Sequence, residues 1–327
     1  MRSLFGLTSI IGLLVGSTAA YTVKKTWDAS NFFEEFNFYS DVDPTHGFVN
    51  YVDKSTASSA GLAKITNGKV IIGADSTSGL DPHAKRGRRS VRLESNAQFD
   101  RGLIIGDFDH LPGNACGIWP SFWVIDLDSD ASNDLPYSEI DIIEGVALQD
   151  YNEISLYTSH QCTLSVNNRR ELGNHPRFNC FQTADESLPG CGINAPPNTF
   201  GDTFNAHNGG VWALQVEAHD IRVFFFPHGR VPTDIAAGNP NPDGWGNAVL
   251  DWKPDQCDIG RAFKKLNTVF NIAFCGDNYE DAAWGGEDWT GCARKTGVKT
   301  CEEWVARNPR AFKEAYFVIN SVKWFQR

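Results

Sequence analysis

Between Ser138 and Gly145 the chain reads Ser-Glu-Ile-Asp-Ile-Ile-Glu-Gly, and few architectures accommodate such a run. It sets three carboxylates, Glu139, Asp141 and Glu144, within six residues, separated by Ile140, Ile142 and Ile143. Branched aliphatics at this density favour a β-strand. Residues two apart in a strand share a face, so Glu139 and Asp141 point the same way. Strict alternation sends Glu144 to the other face. One inserted residue, a bulge at Ile142-Ile143, restores the phase and returns Glu144 to the acidic side. The run therefore predicts a strand with isoleucines packed beneath it and three acids lining a groove above.

Such a groove is costly. Three acids on one face of an apolar strand repel one another and lose hydration. The cost raises at least one pKa, which is what a general acid working near neutrality needs. Glu139 and Glu144 lie roughly 13 Å apart along a strand rising about 3.3 Å per residue. Side chains leaning inward bring the carboxyl groups to about 5–6 Å, the separation of retaining glycosidases. An acidic edge strand, or a calcium site built from the same acids, is the competing reading of the spacing.

The rest of the chain agrees with an all-β fold. Short apolar runs at Lys69–Ala74, Ser90–Glu94, Leu103–Phe108, Ile118–Ile125, Tyr137–Val146 and Glu153–Thr158 are separated by Gly, Pro and Ser clusters. Further runs follow at Val211–Ala218, Ile221–Phe226, Thr268–Phe274 and Tyr316–Phe325, with a hairpin turn at His219-Asp220. Many short strands and little helix predict a sandwich. The Phe-rich stretch Trp27–Tyr39 reads as a turn-rich plug, and Ser159–Gly210 and Pro227–Asp255 read as long loops. Thr300-x-x-Glu303 reads as a capping box opening a short helix, and Pro309 as the start of another helical stretch.

The first twenty residues read as a secretory signal peptide: Arg2, an apolar run from Leu4 to Val15, then Ser17-Thr-Ala-Ala20 as a small-residue cleavage site. Residues 21–327 are then expected to form one domain, secreted and extracellular. Eight cysteines behind such a leader predict four disulfides, with the pairing left open among 105 alternatives. No C-x-x-C pair suggests zinc, and no Asn-x-Ser/Thr sequon is present. The net charge of −11, or −12 once Arg2 leaves with the leader, disfavours nucleic acid and anionic membranes as partners. A neutral polymer suits an acidic groove better. Ten Trp in the chain suit sugar stacking as well as a core.

Glu139-Ile-Asp-Ile-Ile-Glu-Gly145 resembles the E-x-D-x-x-E signature of glycoside hydrolase family 16, in the form used by laminarinases and other endo-β-1,3(4)-glucanases. Asp43-Pro-Thr-His-Gly-Phe-Val-Asn-Tyr-Val-Asp53, Trp119-Pro-Ser-Phe-Trp123, Cys257-Asp-Ile-Gly260 and Phe274-Cys-Gly-Asp277 are similar to segments of secreted fungal laminarinases, in the same order. The resemblance implies a β-jelly roll of two curved antiparallel sheets with the cleft on the concave face. It implies Glu139 as nucleophile, Glu144 as acid/base and Asp141 as support for the nucleophile. It also implies a substrate-binding set: Asn50 and Arg88 on the non-reducing side, Trp119 and Trp123 at the subsites nearest cleavage, and Trp245 on a loop near the cleft. Three departures stand out. Leu135-Pro-Tyr-Ser138 replaces the usual Trp-Pro-x-x-Gly, leaving Tyr137 as a substitute; Tyr157 replaces a histidine beside the nucleophile; Gln215 replaces a glutamate.

These features predict a secreted, monomeric endo-β-glucanase that cleaves β-1,3 or mixed β-1,3/1,4-glucan with retention. No cofactor is needed, and a structural calcium stays open. Two rivals keep the same groove: a cell-wall transglycosylase, and a β-glucan-binding module that does not cut. The intact Glu139 and Glu144 weigh against the second.

Overall fold

The computed structural model describes residues 20–130, 138–167, 171–182, 190–277, 284–285 and 291–327. The expected leader and Tyr137 lie outside them. Two antiparallel sheets carry the chain. The first runs Cys162–Val166, Leu250–Cys257, Ile221–Pro227, Gly210–Val216, Gly102–His110, Tyr316–Gln326, Lys69–Gly73 and Ala63–Thr66, with Thr22–Trp27 also paired to Tyr316–Gln326. The second runs Asn174–Arg177, Cys191–Pro197, Tyr151–Thr158, Ser138–Glu144, Ile118–Ile125, Leu266–Phe274, Arg92–Phe99 and Phe36–Tyr39. A short parallel pair, Val49–Tyr51 and Arg88–Ser90, stands beside them.

The main core lies between the sheets. Trp212 and Leu214 point into it from the first sheet, and Phe122, Val124, Ile140, Ile142, Phe270 and Ile272 from the second. The rings of Phe108, Phe122, Phe270 and Phe317 meet there, with Phe122 and Phe270 stacked at 4.6 Å between centroids. Each buried side chain of this size contributes about 1.5–3 kcal/mol by leaving water. Neighbouring strand positions face the other way. On the first sheet Val211, Ala213, Phe224 and Phe226 form a second apolar cluster with Tyr21, Ile235 and Trp245. On the second sheet the opposite face carries the acids. The two packed antiparallel sheets are the sandwich that the strand pattern predicts, in the jelly-roll form that the resemblance implies.

Every strand expected from apolar runs forms, with ends shifted by a few residues. The hairpin after Gly210–Val216 closes through Glu217 to Asp220, whose backbone N–H and C=O bond at 2.9 Å. Thr300 caps the helix Cys301–Arg307 by accepting from the Glu303 N–H, and Pro309–Phe312 forms a 3-10 turn.

The stretches read as loops are where the structure differs. Phe36–Tyr39 pairs with Arg92–Phe99 as an edge strand, preceded by a single helical turn. Cys162–Val166, Asn174–Arg177 and Cys191–Pro197 are strands inside the supposed loop 159–210. Leu250–Cys257 is another within 227–255. These segments carry Asn, Gly and Pro and show no alternation, so their pairing is imposed by neighbours and by covalent ties. Cys162 faces Cys257 across paired strands and bonds to it. Cys180–Cys191, Cys116–Cys292 and Cys275–Cys301 complete the four expected disulfides.

Candidate active site

The acidic strand lies near the middle of the second sheet, between Ile118–Ile125 and Tyr151–Thr158. Its register breaks after Asp141. Against the tryptophan strand, Asp141 faces Trp123 while Ile143 faces Phe122, so Ile142 is the inserted residue. Against the other neighbour, Asp141 faces Ser155 and Glu144 faces Glu153. The bulge turns Ile142 and Ile143 into the core, both fully buried, and brings Glu144 back to the side of Glu139 and Asp141. The residue after Glu144 has to be small: a Cβ on Gly145 would fall 2.6 Å from the Phe200 ring.

The three acids open into one cleft of about 320 Å³. Trp119, Glu153, Ser155, Tyr157 and Gln182 share its walls, and Thr45 and Asp277 reach it from two neighbouring loops. Asp141 is 3% exposed. Burial raises its pKa well above the usual carboxylate range, and the charges of Glu144 and Glu139 push the same way. Its protonated form is favoured, which lets it donate a hydrogen bond to a neighbouring carboxylate rather than repel it. Glu144 is pushed up to about 7, again chiefly by desolvation. The Trp119 indole N–H donates to Glu144 Oε1 at 2.8 Å and holds that rise in check. Glu153 adds repulsion, and Arg177, bonded to Glu153 Oε1 at 3.0 Å, offsets it. A carboxyl half-protonated near neutrality, beside two others, is the electrostatic arrangement that acid/base chemistry on a glycosidic oxygen uses.

Trp119 and Trp123 lie on one face despite Pro120, because their strand pairs with Leu266–Phe274 without a register shift. Their settings differ. Trp119 lines the cleft, whereas Trp123 is nearly buried, with its N–H bonded to Asn271 Oδ1 and the Arg92 guanidinium over its ring. Tyr157 faces the cleft directly across from Glu139. Burial and the three nearby carboxylates raise its phenol pKa well above normal, so it stays a neutral donor. Gly190 makes room for that ring, since a Cβ there would lie 2.3 Å from Tyr157 Cε1.

Two expected substrate contacts are corrected. Arg88 is 0% exposed, and its guanidinium donates to the backbone carbonyls of Asp75, Ser78 and Val305. It is a buried brace with no face toward the groove; next to Asp75 the charge is compensated. Trp245 sits on the outer face of the other sheet, edge-on to Phe224 and Phe226, with its N–H held by the Asp234 carboxylate. The loop tryptophan that the resemblance placed near the cleft belongs instead to that second apolar cluster. Asn50 is half-buried on the short parallel strand, outside the lining of the acidic cleft, with its Oδ1 accepting from Arg86 Nη1 at 3.0 Å. Gln215 lies on the same outer face as Trp245, bonded to the Tyr21 hydroxyl, so that departure from the family pattern does not touch the cleft.

Sequence reasoning missed Glu153, Arg177 and Asn152. Glu153 stands opposite Glu144 only through the register shift after Asp141, so its place was not legible from the strand pattern alone. Arg177 was not legible, because its strand lacked a pattern. Among the described residues, one group of three ligand-type side chains lies in reach of each other: Asp107, Asp109 and His228. There Lys69 bonds Asp109, and Asn320 and His228 bond Asp107. No helix of the described residues is long and apolar enough to cross a membrane.

A two-sheet jelly roll with a bulged E-x-D-x-x-E strand in its cleft defines the class of glycoside-bond enzymes to which this chain is comparable. Residues 36–325 match the XgeA-like, catalytic GH16 domain, and the chain belongs to that family. A probable endo-1,3(4)-beta-glucanase of Aspergillus flavus is 36% identical over 318 residues, covering 95% of this chain and 45% of the relative. The chain thus spans about half the length of the curated relatives it matches first. Among solved structures, an elongating GH family 16 beta-1,3-glucosyltransferase is 35% identical with a TM-score of 0.84, covering 94% of this chain and all of that one. Laminarinase 16A from Phanerochaete chrysosporium, holding 6-O-glucosyl-laminaritriose in donor and acceptor sites, is 36% identical with a TM-score of 0.81 and the same coverage.

Proposed function

We propose that this chain is a secreted, retaining endo-β-glucanase acting on β-1,3 or mixed β-1,3/1,4-glucan. The observation that carries the reading is the bulge that returns Glu144 to the cleft beside Glu139 and Asp141, with its pKa near 7. Glu144 starts protonated and gives its proton to the leaving glycosidic oxygen while Glu139 attacks the anomeric carbon. Glu144, now a base, takes a proton from water, which then opens the glycosyl–enzyme ester. Asp141, buried on the same face of the strand, supports Glu139 as the nucleophile. Trp119 offers its ring to a sugar face and its N–H to Glu144. The relatives named as endo-1,3(4)-beta-glucanases support the substrate class, and the leader supports export.

A second reading is favoured by one comparison: the elongating glucosyltransferase aligns over the whole of its length. In that case a glucan hydroxyl replaces water in the second step. Incubation with laminarin, lichenan and xyloglucan decides between them: reducing ends accumulate in hydrolysis, whereas chain lengths redistribute in transfer. The roles of the two glutamates are tested separately. Glu144→Ala should lose at least about 1,000-fold on laminarin, yet still form the intermediate from an activated aryl glycoside, with azide restoring turnover as a β-glycosyl azide. Glu139→Ala should be inactive on natural glucan. An inverted product from Glu144→Ala with azide, or near-normal activity in Glu139→Ala, overturns the assignment.

A further inference from the structure

The bulge that delivers Glu144 leaves two backbone groups without a ladder partner, and one side chain serves both. Between Asp141 and Glu144 the register against Tyr151–Thr158 is broken. Asn152, in that neighbouring strand and fully buried, fills the gap. Its Oδ1 accepts from the Glu144 N–H at 2.8 Å, and its Nδ2 donates to the Ile142 C=O at 2.7 Å. The carboxamide therefore replaces, in shape and polarity, the peptide group that a regular strand would present there. Asn152 is itself fixed. Its backbone N–H donates to Thr199 Oγ1 at 3.1 Å, and that hydroxyl donates to the Pro196 C=O at 2.6 Å.

We propose that Asn152 is the positioning residue for the acid/base carboxyl: its side-chain amide holds the bulge in the phase that points Glu144 into the cleft. The inference rests on the roles proposed above for Glu139 and Glu144. Its physical basis is the competition between two registers. Without the carboxamide, the Glu144 N–H and Ile142 C=O are buried and unpaired, which native structures avoid. The segment regains partners by sliding toward regular alternation, which turns Glu144 away from the groove and an isoleucine toward it. Glu139 and Asp141, upstream of the break and paired regularly with Tyr157 and Ser155, keep their places. Loss of Asn152 should therefore disable proton donation while leaving the nucleophile in position.

That asymmetry supplies the test. Asn152→Leu keeps the volume and removes both hydrogen bonds; Asn152→Asp keeps the acceptor for the Glu144 N–H and loses the donor. For Asn152→Leu, kcat/KM on laminarin should fall about 100-fold, the usual effect of misplacing a catalytic group by an ångström. On a dinitrophenyl β-laminaribioside, whose leaving group needs no proton, kcat/KM should stay within about threefold. Asn152→Asp should lie between wild type and Asn152→Leu on laminarin. Equal losses on both substrates, or no loss on laminarin, overturn the proposal. Amide hydrogen exchange gives a readout independent of activity, with Asn152→Asp, which keeps the Glu144 acceptor, as the folded comparison. Protection at Glu144 should drop at least tenfold in Asn152→Leu, and that at Ile142 and Ile143 should change with it, while Ile140 is unaffected. Unchanged protection at Glu144 in both variants overturns the proposal. If wild type cleaves neither substrate but exchange at Glu144 responds as stated, the proposed glucanase activity fails while the clamp stands.

Discussion

At the scale of single residues, the chemistry depends on how strongly each carboxyl holds its proton. In the proposed mechanism Glu144 is protonated when it assists departure of the leaving group, and burial pushes its pKa up to about 7. The basic limb of kcat/KM on glucan should therefore fall near pH 7, with activity lost as pH rises through that value. The Glu153–Arg177 pair offers two levers of opposite sign, since Glu153 raises the Glu144 pKa and Arg177 lowers it. Arg177→Leu leaves Glu153 uncompensated beside Glu144 and should move the limb to higher pH. Glu153→Gln removes the repulsion and should move it lower. Each displacement should be on the order of half a pH unit for a partly solvated charge at this range. A pH profile on laminarin for the three proteins checks it; shifts of the same sign would refute the assignment.

At the scale of elements, the same residue type serves different ends on the two sheets. Trp119 works in a cleft, while Trp245 covers the outer face of the other sheet against Phe224 and Phe226. Trp245→Ala should cost about 2–4 kcal/mol in stability through lost packing and the stranded Asp234 carboxylate. Its kcat/KM on laminarin should remain within about twofold of wild type. Thermal melts beside steady-state kinetics separate the two effects. A loss of turnover with an unchanged melting temperature would restore Trp245 to the substrate path.

At the scale of the whole molecule, the four disulfides close loops of very different length, from 11 to 176 residues. Cys116–Cys292 spans 176 residues and joins the approach to the tryptophan strand to the helix Cys292–Thr296. Cys180–Cys191 spans 11 and flanks Gln182 and Gly190 at the cleft wall. Chain entropy assigns roughly 5 kcal/mol to the first and roughly 3 kcal/mol to the second. Removing Cys116 and Cys292 together should therefore lower stability more than removing Cys180 and Cys191. Activity should show the reverse order, because the second pair holds the glycine that admits Tyr157. Denaturant melts and laminarin kinetics of the two double-alanine proteins test both orders, and denatured, unreduced wild type should show essentially no free thiol.

Local chemistry determined much of this molecule. Alternating apolar runs specify a strand wherever one face is buried, so the strands of the core were readable one by one. The acidic strand was readable even to its bulge, because three acids and three isoleucines cannot both be sorted correctly without it. Thr300 and Glu303 announced their cap for the same reason: the partners are three residues apart. What the sequence left open was decided by contacts between distant segments. Phe36–Tyr39, Asn174–Arg177 and Leu250–Cys257 are strands because neighbouring strands complete their hydrogen bonds, helped at Leu250–Cys257 by the Cys162–Cys257 disulfide, and their composition carries no period. Arg88 and Trp245 have the residue types of a sugar site, but burial against Val305 and Phe224 assigned them to the framework. Asn152 looks like any polar strand residue until the broken register beside it is seen. Its carboxamide has a role only because the fold leaves two backbone groups there with nothing else to bond.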